Sequence, residues 1–289
     1  MNKIKRTIIF GNIFVAACAY FLSIEESYFA GKRALINTPS LFVFFSTLLI
    51  YNYRKLFFND RNLVPPLTQR VEWVVRNRST LAVICFASLF GIMICAFSLS
   101  GRTFLFLLPL FLVSVLYATP FSRNMNSVKR LRYLPFLKIF LIAGVWSAVT
   151  VLFPVIENTS ESLFSGPVIF TFITRFIFIF SITVPFDIRD IEVDKRNNIK
   201  TFPVVLGERT SVQIAIAALL LFILMYAGSI FFIPEINQRV VYGYIISGFI
   251  SIAFVAQSLK NKSDYFISFW IEGLMLMQFL LILLVTLLF

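Results

Sequence analysis

Long apolar runs separated by polar segments dominate the pattern of this chain. Each run approaches the roughly 20 residues that an α-helix needs to cross a bilayer. We therefore predict an all-α, polytopic membrane protein with about nine transmembrane helices, whose approximate bounds are 7–23, 38–55, 79–99, 103–119, 135–155, 164–186, 211–233, 239–257 and 266–288. No Gly/Ser linker, low-complexity tract or clear repeat interrupts the pattern, which favours one transmembrane domain over residues 1–289.

The loops between these runs differ in charge. The longer loops at 56–78, 120–134 and 187–210 are rich in Lys and Arg, whereas the alternate set of loops contains only Lys32, Arg33, Arg102 and Arg239. Because positive loops stay in the cytoplasm, this asymmetry predicts a cytoplasmic N-terminus and a C-terminus on the opposite side. The basic start followed by an apolar run also resembles a signal peptide, but we expect an uncleaved first helix. Without an Arg- and Ser-rich transit segment, a prokaryotic plasma (inner) membrane is the expected location.

Composition supports a membrane location and narrows the chemistry. Hydrophobic residues make up 59% of the chain and charged residues only 14%, against about 25% charged in soluble domains. The net charge of +12 follows from the basic loops, so we expect membrane lipid as a partner and no nucleic acid. The chain contains no His, which excludes His-based zinc and haem sites and Ser-His or Cys-His catalysis.

Four of the 14 acidic residues fall within 187–194, the segment DIRDIEVD at the predicted cytoplasmic end of helix 6. Asp187, Asp190 and Asp194 stand at i, i+3 and i+7, which share one face of a helix. Like charges so arranged repel one another. A divalent metal bound to phosphate oxygens would relieve this repulsion, and Mg²⁺ prefers such a set of ligands. The alternative is a solvated acidic helix end beside basic neighbours.

This segment, followed by Thr201, Pro203 and Leu206-Gly207, resembles the second aspartate-rich motif of the UbiA superfamily of intramembrane prenyltransferases. Members have nine transmembrane helices and two aspartate motifs at the cytoplasmic ends of helices 2 and 6. They typically condense a prenyl diphosphate with an acceptor, using Mg²⁺. Asn198 falls where many members have Gly, and because Asn tolerates the left-handed conformation we still expect a turn there.

The resemblance implies a UbiA-like bundle and assigns roles to individual residues. Asp190 and Asp194 correspond to the metal-binding DxxxD pair, and Asp187 is a supporting ligand. Asn52 at the end of helix 2 and Asp60 complete the expected metal ligands, and Asn52 joins the three aspartates as a catalytic residue. Mg²⁺ is the implied cofactor, and prenyl diphosphate is the implied substrate.

The first motif departs from the family pattern. The family usually has an Asn followed by acids four and eight residues later, but here Leu56 stands four residues after Asn52. Arg54 and Lys55 lie next to it, and both are cations. Two consequences stay open. Either cation could neutralise the diphosphate, since Arg pairs with phosphate in bidentate fashion, or the site has lost the diphosphate chemistry.

Several basic residues near the presumed head-group end are candidates for binding the diphosphate. They are Arg54, Lys138, Arg189 and Lys200. For each of them the alternative is an ordinary residue of a positive-inside loop. Lys138 is the strongest candidate because it enters an apolar run, where a charge requires a reason.

Arg175 and Glu272 lie well inside predicted spans, where neither should face lipid. One interpretation is that they pair with each other and join two helices. The other is that Glu272 lines the pocket of the acceptor substrate.

The sequence therefore predicts a membrane-embedded prenyltransferase that transfers an isoprenoid group from a prenyl diphosphate to a hydrophobic acceptor, aromatic or lipid, of unknown identity. The alternative is a non-catalytic lipid- or anion-binding or transport protein on the same scaffold, which the substitution at Leu56 favours. A transporter would be expected to have helices broken by Gly or Pro at mid-membrane. Pro120, Pro135 and Pro185 instead lie near the ends of predicted spans.

Overall fold

The computed structural model describes residues 2–29, 36–57, 69–118, 136–158, 162–196, 198–233 and 236–288. Within these ranges the secondary structure is entirely helical. The α-helices are α1 (Lys3–Phe10), α2 (Ile13–Phe29), α3 (Thr38–Phe57), α4 (Gln69–Arg76), α5 (Arg78–Ala96), α6 (Gly101–Ala118), α7 (Leu137–Ser147), α8 (Phe153–Asn158), α9 (Gly166–Arg189), α10 (Ile191–Arg196), α11 (Phe202–Leu206), α12 (Glu208–Phe232), α13 (Gln238–Gln257) and α14 (Glu272–Leu288). Two π-helical segments, Ala148–Leu152 and Phe266–Ile271, join α7 to α8 and lead into α14.

The prediction of about nine membrane spans is not confirmed. Six helical stretches of the described chain are long and apolar enough to cross a bilayer: Arg78–Ala96, Leu137–Glu157, Gly166–Arg189, Glu208–Phe232, Gln238–Gln257 and Phe266–Leu288. A seventh is added if α1 and α2, which are bent by 55°, count as one span. Helices α3 and α6 occupy the other two predicted runs. Helix α6 has 18 residues, and its side chains after Ser114 lie outside the described part of the chain.

The helices form a closed arrangement in which the first and last long helices touch. Helix α14 packs on both α2 and α13, α13 packs on α12, and α9 lies between α12 and α7. Helix α3 packs on the outside of α2 and contacts α5. Large apolar side chains of α5 point outward, including Val83, Phe86 and Phe90 at 68%, 79% and 65% exposure. In an integral membrane protein such a surface faces lipid rather than water.

The break between α1 and α2 is stabilised by Asn52 of α3. Asn12 lies at this break with a φ of 60°, a left-handed conformation that Asn tolerates. The buried Asn52 side-chain amide donates hydrogen bonds to the carbonyls of Gly11 and Leu48, both at 2.9 Å, and its oxygen accepts one from Asn12 Nδ2 at 2.7 Å. A bent helix leaves backbone groups unpaired, and Asn52 satisfies one of them.

Asn52→Ala should therefore lower the free energy of unfolding by about 2 kcal/mol or more, because a buried group left without a partner costs about 1–3 kcal/mol. Two groups, the Gly11 carbonyl and the Asn12 amide, would lose this partner. Denaturant titration of purified protein in detergent micelles measures the loss. Asn261→Ala is the control, since Asn261 bonds only Ser263 on the surface, and we expect it to cost less than about 1 kcal/mol. Equal losses would contradict a structural role for Asn52.

Arg175 does not pair with Glu272, contrary to one interpretation of the sequence. Its guanidinium instead forms ion pairs with Glu25 and, at 3.2 Å, with Glu26 of α2. The Tyr244 hydroxyl also donates a hydrogen bond to Glu25. Helix α2 continues to Phe29, beyond the predicted end at residue 23, so Glu25 stays inside the bundle and is fully buried. The ion pair therefore joins α2 to α9 far from the aspartate segment.

Candidate functional site

The aspartate segment is a helix that breaks at Asp190. Helix α9 ends at Arg189, Asp190 is its C-cap, and α10 begins at Ile191. Asp187 and Asp194 are each 1% exposed, whereas the Asp190 side chain is 30% exposed. Asn198 follows with a φ of 54°, which confirms the left-handed turn expected there. The break changes the spacing of a continuous helix but keeps the three carboxylates at one end of the bundle.

Lys138 bridges the two buried aspartates. Its ammonium nitrogen lies 2.6 Å from Asp187 Oδ1 and 3.2 Å from Asp194 Oδ2. The first turn of α7 brings Lys138 to this position, and burial of two carboxylates requires such a partner because an unpaired buried charge is costly. One cation shared by two carboxylates leaves a formal charge of about −1 on this group.

Arg189 forms a two-point ion pair with the third aspartate. Its Nε lies 2.9 Å from Asp190 Oδ1 and its Nη2 lies 3.2 Å from Asp190 Oδ2. Nη1 donates a long hydrogen bond of 3.4 Å to Ser268 Oγ, and Asp264 Oδ1 lies 3.9 Å from Nε. Burial raises the pKa of Asp190, but the adjacent Arg189 charge outweighs burial and holds this pKa well below its usual value. Asp190 is therefore ionised at neutral pH.

The first-motif region contains cations and apolar side chains where the family pattern has acids. Lys55 Nζ donates a hydrogen bond of 2.8 Å to the carbonyl of Phe10 at the end of α1. Leu56 packs against an apolar cluster that contains Phe10 and Trp73. The side chain of Arg54 and all of Asp60 lie outside the described residues. Asn52 reaches the same end of the bundle, but its amide is engaged with Asn12 and two carbonyls.

Arg70 is a cation of this region that sequence reasoning did not single out. It lies in the first turn of α4, and its backbone N–H donates a hydrogen bond of 3.2 Å to Asp264 Oδ2. Repulsion from Arg189, together with burial, lowers the pKa of the Arg70 guanidinium below its ordinary value. Arg70 and Arg189 therefore act on each other as neighbouring cations, and both lie in the wall of one cavity. The signal in the sequence was the basic loop at 56–78, which topology alone also explains.

A cavity of about 1290 Å³ joins these charged groups to an apolar chamber. Its charged wall contains equal numbers of cations and carboxylates: Lys55, Arg70, Lys138, Arg189, Asp187, Asp190, Asp194 and Glu272. Its apolar wall includes Phe104, Leu105, Phe111, Trp146 and Phe153. The volume exceeds the roughly 300–1,000 Å³ of ordinary small-molecule sites. Lys200, a predicted diphosphate ligand, is exposed and is not part of the cavity wall.

The carboxylate oxygens in the cavity are suitable ligands for a hard divalent cation. The three aspartates, however, already form ion pairs with Lys138 or Arg189. No three acidic or Cys side chains within the described ranges converge closely enough to form a metal centre by themselves. The cavity cations are matched by the cavity carboxylates, so a diphosphate of about three negative charges would leave the site strongly negative. Oxygen donors suit Mg²⁺, which takes a few carboxylates together with substrate phosphates. A metal that arrives with the diphosphate would meet both requirements.

Comparisons with known proteins give a family and a fold. The sequence profile described as the UbiA prenyltransferase family matches residues 71–287. A comparison with curated protein sequences finds no match.

Among solved structures, a UbiA homologue from Archaeoglobus fulgidus bound to GPP and Mg²⁺ is 13% identical, with a TM-score of 0.63 over 97% of this chain and 99% of that one. The same homologue bound to DMAPP and Mg²⁺ gives the same identity and TM-score, over 97% and 98% of the two chains. A digeranylgeranylglyceryl phosphate synthase is 16% identical, with a TM-score of 0.58 over 98% of each chain. At these identities the likeness is one of fold.

Proposed function

Because the chain belongs to the UbiA prenyltransferase family, we propose that it transfers an isoprenoid group from a prenyl diphosphate to a hydrophobic acceptor inside the membrane. The observation that carries the proposal is the cavity of about 1290 Å³ in which a cluster of buried charges opens onto an apolar chamber. A prenyl diphosphate has the same division into a charged head and an apolar tail. The solved relatives bound to GPP or DMAPP with Mg²⁺ support this choice of donor.

The cations of the charged wall would bind the diphosphate and promote its departure. Arg70, Lys138 and Arg189 can each donate hydrogen bonds to phosphate oxygens, and Arg binds phosphate in bidentate fashion. Lys55 has two further N–H donors besides the one given to Phe10. This cation occupies the region where the family pattern supplies acids, so we propose that it compensates diphosphate charge in their place.

Mg²⁺ would be held by Asp187, Asp190 and Asp194, and when bound it supplies positive charge to the leaving diphosphate oxygens. The prediction that Asn52 and Asp60 are also ligands is untested, and the hydrogen bonds of Asn52 give it a structural role at the helix break. In the reaction the C–O bond of the allylic diphosphate breaks and pyrophosphate leaves with the electron pair. The acceptor forms a bond to the allylic carbon and releases one proton. The apolar chamber would exclude water, which would otherwise react with the allylic carbocation.

One observation favours a non-catalytic lipid- or anion-binding protein instead. Each of the three aspartates pairs with Lys138 or Arg189 without any metal, and Leu56 stands where the first motif has an acid. On this alternative the protein binds an anionic lipid but does not break its C–O bond.

The experiment that separates the two is pyrophosphate release by purified protein in nanodiscs. We expect release from a panel of allylic diphosphates of increasing chain length, with rates that depend on Mg²⁺. Inorganic pyrophosphate represents the head of the donor alone, and geraniol represents its tail alone. Both should compete with geranyl diphosphate, and each should bind the protein more weakly than geranyl diphosphate does. Binding of the intact diphosphate without any release would support the non-catalytic alternative.

The location in a prokaryotic plasma membrane, the cytoplasmic N-terminus and the single domain over residues 1–289 remain parts of this proposal. The unequal charge of the loops supports the orientation. Protease accessibility of tags at either end of the chain, measured in sealed vesicles, tests it.

A further inference from the structure

Glu272 is a buried acid that the proposed chemistry of the donor does not use. It is the first residue of α14 and follows the π-helical segment Phe266–Ile271. Its exposure is 9%, and its side chain lines the same cavity as the three aspartates. Acidic residues inside membrane spans are rare and usually functional, and π-helical segments are frequent at functional sites.

The other acids of the cavity differ from Glu272 in how they are neutralised. Asp187 and Asp194 contact Lys138, and Asp190 contacts Arg189. Within the described part of the chain, the Glu272 side chain has no hydrogen bond and no ion pair within 4.0 Å, and charged groups act on it only through space. Its carboxylate therefore retains its capacity to accept hydrogen bonds, and a buried carboxylate without a partner is costly.

The surroundings of Glu272 are positive but at longer range. Lys55 of α3, Arg70 of α4 and Arg189 of α9 act on its charge through space, and the Cys18 thiol of α2 lies within the field of the carboxylate. These cations are three of the four that we assign to the diphosphate. Glu272 is thus placed beside the presumed head of the donor without competing for the same cations by direct contact.

Prenyl transfer leaves one proton to be removed. When the allylic C–O bond breaks, pyrophosphate takes the bonding electrons, and the acceptor atom that forms the new bond must release its proton. Water cannot take this proton if the chamber excludes it. Glu and Asp are among the side chains that act as general bases when they lie within hydrogen-bond reach of the proton, and the chain contains no His to take this role.

We infer that Glu272 is the catalytic base that binds the acceptor, and that the acceptor presents a hydroxyl group to it. The inference rests on the proposed function. A carboxylate positions a nucleophile through a hydrogen bond, which an O–H group donates and an aromatic C–H group does not. The hydroxyl oxygen forms the new C–O bond, its proton passes to the Glu272 carboxylate, and pyrophosphate is the second product. Ser268, on the preceding turn and in the same cavity wall, provides a second polar contact for the acceptor.

The test separates transfer from release of pyrophosphate. Wild type, Glu272→Gln and Glu272→Asp are given labelled geranyl diphosphate with Mg²⁺, first without acceptor and then with three probes: a phenol, a long-chain alcohol and a glycerol phosphate ester. Each probe is paired with its O-methyl ether. We expect transfer to at least one hydroxyl probe and to none of the ethers. Glu272→Gln should lower that transfer 100-fold or more, since general bases contribute about 10²- to 10⁴-fold.

The readout is the ratio of transfer to release: in Glu272→Gln, transfer should fall at least tenfold more than release without acceptor, and geranyl diphosphate should still stabilise the protein. Glu157→Gln is the matched control, because Glu157 bonds Ser100 and Thr103 and does not line the cavity. Glu272→Asp keeps the charge and should retain part of the transfer. If the Gln variant does not fold, the ratio of transfer to release is measured with Glu272→Asp. A lower ratio than in wild type supports the inference, and an unchanged ratio contradicts it.

Three results would overturn the inference. Transfer by Glu272→Gln at the wild-type rate would show that Glu272 is not the base. Loss of geranyl diphosphate binding in that variant would assign Glu272 to the donor site instead. Release by wild type with no transfer to any hydroxyl probe would exclude the acceptor class while leaving the proposed function intact. Absence of release in wild type is distinguishable from all of these, because it overturns the proposed function and the inference together.

Discussion

Asp194→Asn is expected to reduce Mg²⁺-dependent pyrophosphate release on the order of 100-fold or more, since losing one preorganised group that acts on leaving-group charge costs about 10²- to 10³-fold. Asp194 is buried and contacts Lys138 at 3.2 Å. The amide cannot replace the carboxylate as an anionic metal ligand, and it removes one of the two carboxylates that pair with Lys138. Initial rates with saturating geranyl diphosphate measure the effect.

Glu192→Gln provides the matched control for that experiment. Glu192 lies two residues away on the same short helix, but its side chain is 71% exposed and pairs only with the surface residue Lys195. The same loss of one negative charge should therefore leave the rate within about twofold of wild type, because exposed pairs contribute little. Equal losses in the two variants would show that the general negative charge of the segment, rather than its buried carboxylates, supports release.

The largest expected effect on stability is that of Arg175→Met, which should lower the free energy of unfolding by about 3–5 kcal/mol. Arg175 is 3% exposed and pairs with Glu25, which is fully buried. Removing the cation leaves a buried carboxylate without compensation, and inside a bundle no water is available to replace the cation. Unfolding of the purified protein by denaturant, in the same detergent as wild type, gives the difference.

Lys262→Met is the comparison for this variant. Lys262 pairs with Glu208 at 2.6 Å, but its side chain is 41% exposed, so we expect a loss below about 1 kcal/mol. The double variant Arg175→Met, Glu25→Gln should recover part of the loss, because the fully buried side chain at position 25 then carries no charge. A loss below 1 kcal/mol in Arg175→Met would contradict the role of this ion pair as the link between α2 and α9.

The aspartate end of the bundle could be predicted from sequence because its signals are local. The spacing of Asp187, Asp190 and Asp194 predicted that they lie on one face of a helix. The position of Lys138 at the start of an apolar run indicated that its charge is paired or functional. The left-handed turn at Asn198 also follows from local chemistry, since Asn tolerates a positive φ. The apolar runs predicted the positions of the long helices within a few residues.

What the sequence did not predict depends on contacts between distant segments. Glu25 was assigned to a loop because hydropathy ends helix 1 too early, so its pairing with Arg175 was missed. The burial of Leu56 against Phe10 and Trp73 requires the bend between α1 and α2, which no local pattern signals. Arg70 and Glu272 belong to separate helices, and only packing brings both into one cavity wall. The count of about nine spans is not confirmed, because an apolar run such as that of α3 or α6 does not by itself show that the helix crosses the bilayer.

Pyrophosphate release by the wild-type protein, with and without Mg²⁺, tests the central claim most directly. We predict that geranyl diphosphate in nanodiscs yields pyrophosphate when Mg²⁺ is present, and that chelation of the metal lowers release to the rate of protein-free nanodiscs. The same samples should unfold at a higher temperature with geranyl diphosphate and Mg²⁺ together, because a ligand that binds only the folded state stabilises it. No release from any allylic diphosphate, together with thermal stabilisation by geranyl diphosphate that is independent of Mg²⁺, would contradict the claim of enzymatic activity. That result would favour a binding protein on this fold.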